Sequence, residues 1–196
     1  MPPLPRYFVL FTVSYLLAAT FYAAVTGNAE FVFYIVFMLI LIGVFAHLHR
    51  RITLGPGLLW AFTLWGFAHM AGGLVPVPDG WPIEGDQQVL YNLWLIPHRL
   101  KYDQAVHFFG FAATTWLCWH GLRRICGGGL QPTLGALTLC AAGGMGFGAL
   151  NEVVEFIATI TLSSTNVGGY VNTGWDLVAN LCGCVAAAVV IRIKGR

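Results

Sequence analysis

Six apolar runs, each read as a helix crossing a lipid bilayer, constrain this chain more than any other feature. They cover about residues 7–25, 31–46, 58–75, 103–122, 134–162 and 175–193. A helix rises 1.5 Å per residue, so about 20 apolar residues match the hydrocarbon thickness. Composition agrees, because only 9% of the 196 residues are charged against 58% hydrophobic, whereas a soluble domain carries roughly a quarter charged residues. The first run follows Arg6. It is too long for a signal-peptide core and no small-x-small cleavage site follows it, so it reads as a span. The expected fold is an all-α integral membrane protein, a six-transmembrane-helix bundle forming a single domain over 1–196.

The loops orient the bundle. With six spans, Arg6, Arg50, Arg51, Arg123, Arg124, Arg192, Lys194 and Arg196 fall on one side, and only Arg99 and Lys101 on the other. Eight cations against two place both termini in the cytoplasm. The 76–102 connection is the longest, and within it 89–97 (VLYNLWLIP) is aromatic and too short to cross, so it reads as an interfacial segment. A net charge of +2 without a basic stripe argues against nucleic acid as a partner. Five cysteines without CxxC spacing read as small apolar fillers.

Ionisable residues inside such runs are costly, and each is a functional-site hypothesis. The stretch GGMGFGALNEVVEF (143–156) places Gly144, Gly148 and Glu152 on one helical face with Glu155 beside it. The glycines are foremost a device for close helix approach. On the six-span topology His69, Asp103, His107, Glu152, Glu155, Asp176 and Asn180 reach a similar depth from four spans, toward the outer face. Asp103/His107 and Asp176/Asn180 are i,i+4 pairs. Four carboxylates crowded in low dielectric cannot all carry charge. Three resolutions are open: some stay protonated, a metal ion neutralises them, or Arg99 and Lys101 serve as counter-ions. The first suits acid–base catalysis or proton transfer. The second suits zinc, manganese or iron held by Asp103, His107, Glu152 and Asp176, with His69 as a further candidate. The third is a buried polar knot that only locks the bundle.

Three blocks in order, KYDQAVHFFGF (101–111), NEVVEF (151–156) and NTGWDLVANLCG (172–183), resemble the YjdF-like family of small bacterial inner-membrane proteins. The resemblance spans roughly the last half of the chain and singles out Tyr102, Asp103, His107, Gly110, Glu152, Glu155, Trp175 and Asp176. The family's usual Arg after the first Asp is replaced here by Gln104, which moves a counter-ion role to Arg99 or Lys101. VanZ-like membrane proteins are similar more loosely, through an acidic helix start and a late Asp…Asn pair. The resemblance implies a multi-pass bacterial inner-membrane location and supplies no reaction.

The function expected from these residues is a metal-dependent or acid–base enzyme, in the metal case a membrane hydrolase, acting on a lipid or envelope substrate. Asp103, His107, Glu152, Glu155 and Asp176 would be catalytic. Arg99, Lys101, Tyr102 and Asn180 would hold the substrate. Membrane lipids are the expected partners, with an envelope protein or a second copy of the chain as others. A proton- or cation-coupled transporter and a structural accessory subunit are the competing classes.

Overall fold

A computed structural model describes residues 5–194. It is all-α apart from one small hairpin. Six helices run Arg6–Thr26 (α1), Ala29–Ile52 (α2), Pro56–Leu74 (α3), Tyr102–Ile125 (α4), Leu134–Thr161 (α5) and Tyr170–Lys194 (α6). Each of the six apolar runs is therefore a helix, extended in most cases by polar residues at its ends. By length and composition, four of them, α1, α2, α5 and α6, are long and apolar enough to cross a membrane. The other two, α3 and α4, each carry two Trp and at least one His.

Local chemistry sets the boundaries. Gly27 takes a left-handed φ of 65° to close α1, and its successor Asn28 caps α2 by accepting a hydrogen bond from Phe31 N at 3.0 Å. Thr53, at φ 49°, ends α2, and Pro56 starts α3 where its missing N–H costs nothing. Gly127 and Gly128, both with positive φ, end α4.

The 76–101 connection is folded on itself. Residues 90–92 form a single 3-10 turn, and 94–96 (β1) pairs antiparallel with 100–101 (β2). Pro97 forbids a helix from continuing, and His98 adopts φ 55° in the tight turn between the strands. The aromatic segment expected near 89–97 is thus a turn and a strand, with Leu95 and Ile96 exposed.

Two compact units emerge. The first takes the residues up to Asp103 together with Ile157–Val167, and the second takes Gln104–Phe156 with the chain from Gly168 onward. In the first, α1, α2 and α3 pack through aromatic side chains: Phe11 contacts Tyr15, Trp60 and Phe67, and Phe31 packs on Tyr34 and Tyr91. Gly72 and Gly73 lie against the Tyr91 and Phe31 rings, where a Cβ would collide. In the second unit, α4, α5 and α6 meet through small residues. A Cβ at Gly144 would meet Thr115 Oγ1 and Cys184 Sγ, one at Gly148 would meet Asn180, and one at Gly183 would meet the Phe108 carbonyl. Trp119, Leu137, Cys140 and Ile191 close one end of this unit in an apolar cluster.

Candidate functional site: a histidine among carboxylates in the second unit

The site grows out of the close helix contact that those glycines permit. Because Gly144 and Gly148 have no side chains, α5 comes near enough to α4 and α6 for the next residue on the same face, Glu152, to reach His107. His107 is 5% exposed and sits two turns ahead of Thr115 on α4. Its Nδ1 lies 3.0 Å from Asn180 Oδ1 and 3.6 Å from Glu152 Oε1. Its Nε2 lies 3.9 Å from Glu155 Oε1. Both glutamates are largely enclosed, with side chains 9% and 14% exposed. Glu155 also accepts a hydrogen bond from Asn151 Nδ2 at 2.8 Å.

Asn180 and Asp176, one turn apart on α6, are fully buried. Asn172 Nδ2 donates to Asp176 Oδ2 at 2.6 Å, so α6 carries an Asn-Asp-Asn ladder at i, i+4, i+8. Asp176 offers an oxygen within 4.8 Å of a His107 ring nitrogen, as Glu152 and Glu155 do.

The Asn180 carbonyl oxygen can only accept, so with Oδ1 facing the ring Nδ1 carries the proton and donates. In the neutral ring, Nε2 then presents its lone pair to the side where Glu155 lies. The Nε2 lone pair faces Glu155 at 3.9 Å and Glu152 stands 3.6 Å from Nδ1, so the two carboxylates and the lone pair repel unless a positive charge lies among them. That charge can be a proton on Nε2 or a metal ion. Ring-to-carboxylate separations of 3.6 and 3.9 Å exceed a normal N–H···O bond of about 2.7–3.2 Å. Of the two, the 3.9 Å from Nε2 to Glu155 is the one that bears on a shared ion, and it lies closer to the spacing of two ligands around it, about 3.4 Å for tetrahedral bonds near 2.1 Å.

The remaining sequence candidates are distributed as follows. Asp103 stands in the first turn of α4, one turn ahead of His107, and is grouped with the first unit. In that unit, Tyr102 donates to Ala68 O at 3.0 Å, and Lys101 is buried with its ammonium 3.0 Å from Glu84. Arg99 is exposed in the β1–β2 turn. His69 Nδ1 is 2.5 Å from the Tyr91 hydroxyl, and its ring stacks on Trp65. Sequence reasoning passed over Asn151 and Asn172. Each stands four residues before a carboxylate, a spacing at which a helical side chain reaches the acid.

A family model described as Predicted membrane protein (DUF2238) matches residues 7–196. The chain belongs to that family. It is the YjdF-like family that the three sequence blocks resemble, and the match extends beyond those blocks to nearly the whole chain. No curated protein and no solved structure matches the chain. The looser VanZ-like likeness has no counterpart in these comparisons.

Proposed function

We propose that the protein is a multi-pass inner-membrane enzyme that holds a divalent cation between His107 Nε2, Glu152 and Glu155. The observation that carries this reading is the buried His107, oriented through Nδ1 by Asn180, with a carboxylate oxygen from each of two glutamates close by. A ligating histidine that donates its other ring N–H to a fixed acceptor is the usual outer-shell arrangement of a metal site. Three protein ligands with an open fourth position suit a catalytic zinc centre, and manganese or iron takes the same nitrogen and oxygen donors. A metal so held would polarise a bound water into a nucleophile at neutral pH. Asp176, near the ring and tied to Asn172, would be the acid–base group for proton transfer to the leaving group.

On this reading all six helices span the membrane with both termini cytoplasmic, and the site opens toward the outer leaflet. The substrate would be a hydrolysable lipid or envelope precursor. Hydrolysis places the most weight on the two glutamates, because they supply both the ligand oxygens and the negative charge that holds the ion.

Elemental analysis of protein purified in detergent tests this. The expected result is about one zinc, manganese or iron per chain, lost in Glu152→Gln and in His107→Ala while both variants stay monodisperse. Metal-free wild-type protein whose proton flux in liposomes disappears in Glu152→Gln would instead make the protein a proton-coupled carrier.

A further inference from the structure

The first unit holds a second feature, remote in chemistry from the carboxylates. A cavity of about 90 Å³ opens among the first turns of α1, the last turns of α2 and the first turns of α3, lined by Phe8, Thr12, Phe45, His49, Leu59 and Phe62 among others. Its wall is almost wholly apolar, and the Thr12 and Thr63 hydroxyls bond to each other. One polar atom breaks this pattern. His49 is 9% exposed, and its Nδ1 accepts a hydrogen bond from Leu54 N at 3.1 Å. A backbone N–H can only donate, so Nδ1 is the unprotonated nitrogen and the neutral ring carries its proton on Nε2. Nε2 is buried and has no hydrogen-bond partner among the described residues. A buried donor left in this state is costly, and an acceptor entering the cavity relieves it.

Among the described residues, the same end of the unit carries a cluster of positive charge. Arg50 and Arg51 follow His49 directly at the end of α2, and Arg6 begins α1 two residues before the cavity residue Phe8. All three arginines are exposed. Glu30 lies at the opposite end of α2.

We infer that this cavity is a binding site for an anionic phospholipid. A segment of one acyl chain enters between α1, α2 and α3, an ester carbonyl accepts from His49 Nε2–H, and the phosphate pairs with Arg50 and Arg51. Size favours a chain segment over a ring-bearing apolar molecule, since a closed apolar cavity that takes benzene measures about 150 Å³. Charge favours an anionic over a zwitterionic headgroup, because two adjacent basic side chains at the membrane surface each contribute to anionic-lipid binding. The order His-Arg-Arg also matches the lipid, whose ester carbonyls lie beneath its phosphate.

Native mass spectrometry of the detergent-purified protein titrated with phosphatidylglycerol or phosphatidylcholine reads this directly. Wild-type protein is expected to retain phosphatidylglycerol at several-fold lower lipid concentration than phosphatidylcholine. Arg50→Gln and Arg51→Gln each lower phosphatidylglycerol retention about five-fold and phosphatidylcholine retention less, because the choline ammonium already offsets that lipid's phosphate. His49→Asn keeps an acceptor near the Leu54 N–H and removes only the Nε2–H, so the fold is preserved while retention of both lipids falls about three- to ten-fold. Equal retention of the two lipids by wild type, or His49→Asn retaining both as wild type does, overturns the inference. So does inorganic phosphate competing away the lipid at equal concentration, or a quinone displacing it, since these would make the site a simple anion or ring pocket.

Discussion

The two units use glycine in the same way and surround it with different chemistry. In the first, Gly66, Gly72 and Gly73 receive the Tyr15 hydroxyl and the rings of Tyr91 and Phe31. Apart from His49 Nε2, its named polar groups pair off one to one: Thr12 with Thr63, His69 with Tyr91, and Lys101 with Glu84. In the second, Gly144, Gly148 and Gly183 receive Thr115, Cys184, Asn180 and the Phe108 carbonyl. There the close approach brings His107 near the carboxylates of Glu152, Glu155 and Asp176. The lesson is that small residues fix only how near helices come. What stands one turn further along the same face decides whether the contact is packing or chemistry.

Substitutions at these glycines separate the units, and Gly183→Ala should be the most damaging. Its new Cβ meets backbone, which cannot rotate away, so a loss of about 3 kcal/mol or more is expected, read as a collapse of thermal stability in detergent. Gly148→Ala should cost less, about 2 kcal/mol, because Asn180 can shift. It should also strip the metal, since Asn180 then no longer holds His107. Gly73→Ala drives its Cβ into the buried Phe31 ring and should also cost about 2 kcal/mol or more, but with metal content untouched. His69→Phe removes the bond to Tyr91 and should cost about 1 kcal/mol, again without effect on metal. If Gly73→Ala or His69→Phe depletes the metal as Gly148→Ala does, the contrast between the units fails.

Much of this was legible in the residues. The six apolar runs are the six helices, because hydropathy over some 20 residues reports length and burial together. The sequence groups His69, Asp103, His107, Glu152, Glu155, Asp176 and Asn180 by depth; the second unit brings Glu152, Glu155 and Asn180 to His107 through the Gly144–Gly148–Glu152 face, whereas His69 lies in the first unit bonded to Tyr91. Other features were hidden. Nothing in the composition of 89–97 showed a 3-10 turn and strand, which depend on pairing with residues 100–101 across a turn. Lys101 read as a headgroup or counter-ion candidate, yet its partner Glu84 lies far back in the connection, and loop folding carries no period that sequence displays. The buried His49 donor was equally invisible, since its protonation is set by a single backbone N–H from the following turn.

The most direct test of the carboxylate site is an anomalous difference map recorded at the absorption edge of the metal found in the purified protein. A peak about 2.0–2.3 Å from His107 Nε2 and from one oxygen each of Glu152 and Glu155 is the expected result. A peak at any other group of side chains, or no peak from metal-loaded crystals in which these three side chains are ordered, would contradict it.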